Sequence, residues 1–118
     1  MKYFTHAELA CQHCGKQSID GDFMDLMDRL REQAGFPFVV TSGYRCPEHP
    51  IEARKSAPGA HTTGKAIDIA VRGDQALRLI ELAQQAGIQR IGVNQKGNGR
   101  FIHLDVCDDR PSPAIWSY

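Results

Sequence analysis

Asp68 stands in the middle of A-I-D-I-A-V, an otherwise apolar run from Ala66 to Val71, and His103 and Asp105 alternate with apolar residues in F-I-H-L-D-V, Phe101 to Val106. A carboxylate half-buried in such a run is costly unless it is paired, hydrogen-bonded or bound to metal. Seven residues before Asp68, His61 lies in the turn-rich stretch S-A-P-G-A-H-T-T-G-K, whose Pro58, Gly59 and Gly64 can fold the chain back beside the strand. His61, Asp68 and His103 therefore form a possible set of two histidines and one carboxylate. Three such ligands leave one tetrahedral position open, which distinguishes a catalytic zinc from a closed structural one. The plainer reading of the same residues is a hydrogen-bonded pair or surface polar groups.

The elements that must position them follow from periodicity. Side chains alternate across a strand, so Ile67, Ile69 and Val71 share one face of the second run and Ile102, Leu104 and Val106 one face of the third. Asp68, His103 and Asp105 then meet on the opposite side as a cleft floor. A further strand is expected at Phe38 to Thr41. Amphipathic helices are expected from Asp20 to Ala34, stopped by Gly35 and Pro37, and from Gln75 to Ala86, capped by Asp74 and closed by Gly87. The implied fold is α+β: a small central antiparallel or mixed sheet with helices packed on one face.

With 118 residues the chain reads as one domain, residues 1–118. Fourteen basic and fourteen acidic side chains cancel, which gives no broad positive field and disfavours a nucleic-acid partner. No apolar run approaches the ~20 residues that span a bilayer, and the N-terminus has no apolar export segment. No membrane partner is expected, and the cytoplasm is the expected compartment as synthesised.

G-A-H-T-T-G-K-A-I-D resembles the S-x-H-x-x-G-x-A-x-D motif of the zinc D-Ala-D-Ala carboxypeptidases and L-alanyl-D-glutamate endopeptidases of peptidase family M15. S-G-Y-R-C-P-E-H, Ser42 to His49, resembles the family's S-G-[YF]-R segment, and F-I-H-L-D its closing strand with the last metal-binding histidine. The three motifs occur in the family's order between Phe38 and Asp105. F-T-H-A-E-L-A-C and the tail P-S-P-A-I-W-S-Y are similar to the small single-domain branch that includes phage proteins.

This resemblance implies one catalytic zinc on His61, Asp68 and His103, and hydrolysis of peptidoglycan peptides by metal-activated water. It implies that Arg45 binds and polarises substrate, with Ser42 and Tyr44 shaping or lining the same site. His49 reads as a helix-terminal or surface histidine. Two departures stand out. The family's serine is Gly59 here, so Thr62 or Thr63 is expected to replace its hydrogen bond. Arg100 occupies the position, three before the last histidine, where several members carry the carboxylate that activates water, and an arginine is no base. Asp105 is the nearest carboxylate and is expected as the base or as a group that orients a ligand, with the base role favoured; Glu48 is a weaker candidate. A catalytically inactive zinc module that binds a peptide or partner, or a phage tail or lysis component, is the alternative. How the chain reaches the cell wall, by a phage-type route or otherwise, and its oligomeric state are left open by the sequence.

Cys11 and Cys14 have the C-x-x-C spacing of a zinc chelate or a redox pair, while Cys46 and Cys107 lie beside the S-G-Y-R loop and the last strand. Free buried thiols are expected, with Cys46 and Cys107 the pair that a disulfide would join. A second, cysteine-bound ion would need all four sulfurs together and is not expected.

Overall fold

Thr5 opens the first ordered turn by reciprocal capping: its backbone N–H donates to Glu8 Oε1 at 2.7 Å and its hydroxyl accepts from Glu8 N–H at 3.3 Å. In the computed structural model, which describes residues 2–54 and 59–118, this turn is α1 (His6–Leu9). There follow α2 (Gly21–Ala34), β1 (Val39–Ser42), α3 (Pro50–Ala53), a 3-10 turn (Ala60–Thr63), β2 (Ala66–Ala70), α4 (Gly73–Gln85), β3 (Arg90–Asn94), β4 (Phe101–Asp105) and β5 (Ala114–Ser117). Pro58, one of the expected turn residues, lies outside the described residues.

The class is the expected α+β. Helix α2 begins where Asp20 accepts from Phe23 N–H and ends at Gly35, which takes the left-handed conformation at φ 76°. Helix α4 starts two residues earlier than expected: Arg72 holds the cap position without a side-chain bond, and Asp74 lies in the first turn, where its charge opposes the helix dipole favourably. Phe23, Met24, Met27 and Leu30 of α2 join Leu79, Leu82 and Ala83 of α4 over Ile67, Ile69, Ile91, Ile102 and Leu104 in one core. Both long helices thus cover a single face of the sheet.

The sheet runs β1-β2-β4-β3-β5 and is mixed, because β5 joins β3 in parallel while every other pair is antiparallel. Strands β3 and β5 were absent from the sequence expectation. Gly92 interrupts the apolar pattern of β3, and two prolines precede the short edge strand β5. Pairing places Ser42, Asp68, His103, Gly92 and Trp116 in one row across all five strands. A register shift between Val40 and Ser42 brings Ser42 opposite Asp68. Gly92 is required at its place in the row: a Cβ there would lie 2.6 Å from Trp116 Nε1.

Candidate metal centre

His61 reaches the row from the 3-10 turn, which Gly64 closes at φ 77°. A side chain on Gly64 would meet the Ser18 carbonyl oxygen at 2.1 Å, so the turn can pack this tightly only on a glycine. His61 Nδ1–H donates to the Gly43 carbonyl at 2.8 Å, which fixes the ring and turns Nε2 toward Asp68 Oδ1 at 3.2 Å. On the other side of Asp68, His103 Nδ1 stands 2.9 Å from the same oxygen. The three side chains are buried, and their ligand atoms all lie within 4.8 Å of one another.

These positions suit a zinc ion. Ligand bonds of about 2.0–2.2 Å in tetrahedral geometry hold neighbouring donors about 3.3 Å apart, close to the two spacings seen here. Each imidazole also spends its other nitrogen on a protein acceptor, as ligating histidines do. For His61 that acceptor is the Gly43 carbonyl, and for His103 it is Asp105 Oδ2, 2.6 Å from Nε2.

Without metal the cluster is an ion-pair network. Burial opposes charge on Asp68, but hydrogen bonds from His103 and His61 hold its carboxyl well below the usual range. His103 moves upward: burial again opposes the charge, and hydrogen bonds to Asp105 and Asp68 outweigh it. Asp105 is lowered against its burial by His103, the Cys107 backbone N–H and Arg90.

Asp105 is in the expected neighbourhood but not where a base would act. It is 0% exposed. Oδ2 accepts from His103, while Oδ1 accepts from Arg90 Nε at 2.7 Å and from Cys107 N–H at 3.1 Å. Both oxygens are committed on the side of the imidazole away from Asp68, so the base role favoured from the sequence does not fit this position. Glu48 is exposed in the turn before α3, outside the cavity, and Arg100 donates to the Gly97 carbonyl.

Arg45 does reach the site. Its Nε donates to Ser42 Oγ at 3.1 Å, one terminal nitrogen lies 3.4 Å from Glu52 Oε2, and the other lies 3.8 Å from Asp68 Oδ2. Ser42 therefore acts on Arg45. Tyr44 does not line the site: past the end of β1, it packs in a buried cluster with Cys11 and Cys46. His49 caps α3, a helix-terminal place as expected.

Glu52 also joins the loop that carries His61. Its Oε1 accepts from Gly59 N–H at 2.8 Å and from the Thr62 hydroxyl at 3.1 Å, so Thr62 supplies the side-chain bond that Gly59 cannot. Buried Glu52 was missed in the sequence, where P-I-E-A reads as an ordinary short helix.

The metal-side atoms open into a cavity of about 410 Å³, whose lining includes Arg45, Phe101, Trp116 and Tyr118. Trp116 and Tyr118 also escaped sequence analysis; their signal is the alternation A-I-W-S-Y, which puts both on the face of His103. The His103 and Trp116 rings are 5.2 Å apart, Phe101 and Tyr118 5.0 Å. Burial raises the Tyr118 phenol, so it remains a protonated donor at neutral pH. A groove of about 430 Å³ between α4 and β5 carries no ionisable side chain.

A family model described as Peptidase M15 matches residues 2–105, which includes every residue of the histidine–aspartate cluster. The chain belongs to the peptidase M15 family. Members of this family are in general zinc-dependent metallopeptidases, and His61, Asp68 and His103 are this member's candidate ligands. No curated protein matches the chain. No described helix is long and apolar enough to cross a membrane.

Proposed function

We propose that this M15 peptidase hydrolyses peptidoglycan peptides, as a D-Ala-D-Ala carboxypeptidase or a related endopeptidase. The observation that carries the reading is the convergence of the three buried candidate ligands with Arg45 on one cavity. His61, Asp68 and His103 would hold a zinc ion, which would supply Lewis acidity toward a scissile carbonyl and acidify a water at neutral pH. Arg45 binds the substrate, its planar fork held by Ser42 and Glu52 before substrate arrives. That preorganisation suits either a terminal carboxylate or the oxyanion that develops at the carbonyl. Tyr118 offers its phenolic hydrogen at the cavity mouth, and Trp116 and Phe101 exclude water from the floor. Asp105 orients His103 and takes no proton from water.

Digestion of purified stem peptides followed by mass spectrometry tests the reading. Release of terminal D-alanine identifies the carboxypeptidase, and cleavage between L-Ala and D-Glu the endopeptidase. Either activity is expected to vanish on chelation and return with zinc. Zinc-loaded protein that cleaves neither bond would leave the second reading, a metal-bound module that binds peptides without hydrolysis. One observation favours that second reading: among the described residues, Asp68 is the sole carboxylate lining the cavity.

A further inference from the structure

Two similar turns face each other away from the histidine cavity. In the first, Cys11 begins C-Q-H-C, its carbonyl accepts from Gly15 N–H at 2.8 Å, and the backbone N–H groups of His13 and Cys14 face its sulfur. In the second, Cys46 begins C-P-E-H, its carbonyl accepts from His49 N–H at 3.0 Å, and the backbone N–H of Glu48 faces its sulfur. The Cys46 N–H crosses between them to Cys11 Sγ at 3.3 Å. That N–H donor favours negative charge on the Cys11 sulfur.

The sulfurs of Cys11, Cys14 and Cys46 lie within 4.8 Å of one another, with Cys11 and Cys46 at 3.6 Å. Zinc–sulfur bonds of about 2.3 Å in a tetrahedron separate their sulfurs by about 3.8 Å, whereas a disulfide joins them at about 2.0 Å. The geometry points to a second metal site: we propose a structural zinc held by Cys11, Cys14, Cys46 and His49. This departs from the sequence expectation of no second ion, which considered only a site made of all four cysteines. Cys107 is elsewhere, its sulfur 3.4 Å from the Thr63 hydroxyl.

His49 is the fourth ligand we assign: it follows Cys46 at the interval by which Cys14 follows Cys11, and its imidazole, outside the 4.8 Å sulfur cluster, swings in to complete the set. Its Nδ1 accepts from Ile51 N–H at 3.1 Å. A neutral imidazole has one lone-pair nitrogen, so ligation exchanges this cap for a metal bond. Three thiols lose their protons to solvent as zinc enters, leaving a site of net charge −1. The ion ties the N-terminal segment to the loop that bears Arg45, across the contact where Tyr44 N–H donates to the Leu9 carbonyl.

Elemental mass spectrometry of tag-free protein, offered zinc under reducing conditions and desalted, tests the site. Two zinc ions per chain are expected in the wild type, one in His103→Ala, one in Cys14→Ser and none in the double variant. His49→Ala is expected to weaken the second ion and His13→Ala to leave it; the reverse would overturn the assignment of His49. Cobalt(II) provides a second readout on the wild type, since thiolate-to-cobalt charge-transfer absorption reports this site and not the sulfur-free histidine cluster. Lack of that absorption, or a single zinc that His103→Ala removes, would overturn the proposal, as would a Cys11–Cys46 disulfide in protein kept reduced.

Discussion

Asp105 accepts a 2.6 Å hydrogen bond from His103 Nε2, on the far side of the ring from the Nδ1 that faces Asp68. The carboxylate would act on a bound metal through the imidazole, by fixing its orientation and raising its basicity. Loss of such a partner typically weakens metal binding about 10–100-fold. Asp105→Asn is expected to weaken zinc by that factor, measured by competition with a chelator, and to keep activity within tenfold once zinc is saturating. A collapse of kcat at full zinc occupancy would restore Asp105 as the base.

Arg45 makes a different kind of contact, since its guanidinium is held by Ser42 and Glu52 with one nitrogen left facing the cavity. A lysine keeps the charge but cannot satisfy three partners in one plane. Arg45→Lys is expected to lower kcat/KM by about 10²–10³, the loss usual for removing one preorganised donor, with zinc content unchanged. Activity within threefold of wild type would remove Arg45 from substrate binding.

The convergence of the candidate ligands could be read from sequence because strand alternation alone puts Asp68 and His103 on one face, and the motif around His61 supplies the third member. Alternation also brought Asp105 to that face, but it does not say which ring nitrogen a neighbour meets; that depends on the pairing of β4 with β3, which delivers Arg90 beside Asp105. Strand β3 was hidden by Gly92, and with it the row that brings Trp116 over His103. All four thiols are free, and Cys11, Cys46 and Cys107 are buried as expected; only the choice of neighbouring pair missed, for a similar reason. Nearness in sequence to the S-G-Y-R loop and the last strand suggested Cys46 with Cys107, whereas the Leu9 to Tyr44 hydrogen bond brings Cys11 to Cys46.

Gly92 makes a prediction of its own. Because an added methyl meets the Trp116 indole at 2.6 Å, Gly92→Ala must push that ring out of its place beside His103. The variant is expected to keep its zinc ligands and to show red-shifted fluorescence from the sole tryptophan as the indole gains water. KM is expected to rise more than kcat falls. An unchanged emission spectrum would mean that the strand, not the ring, had moved.

Metal and proton compete for His103 Nδ1, and this sets opposite pH trends for the two forms of the protein. In metal-free protein the His103 pKa is raised above 6.5 by its two carboxylates, against burial. A raised folded-state pKa contributes stability that is complete below the unfolded value of about 6.5 and is lost as pH rises through the folded value. Asp68 and Asp105 are lowered, so their contributions are complete above about 3.9 and fade only in acid. Cys11, whose thiol is lowered to about 7 by the Cys46, Cys14 and His13 backbone N–H groups against the effect of burial, works in the other direction. Burial also raises Cys46 and Cys107, whose contributions fall over the same interval, and lowers His49, whose contribution rises, so the measurement is made as the difference between Cys11→Ser and Cys11→Ser with His103→Asn. The urea midpoint of Cys11→Ser without metal is expected to fall from pH 6 to pH 9 more steeply than that of the double variant, while the extra stability conferred by zinc grows over the same interval as the proton ceases to compete. Equal pH slopes in the two variants would show that His103 is neutral between its two carboxylates.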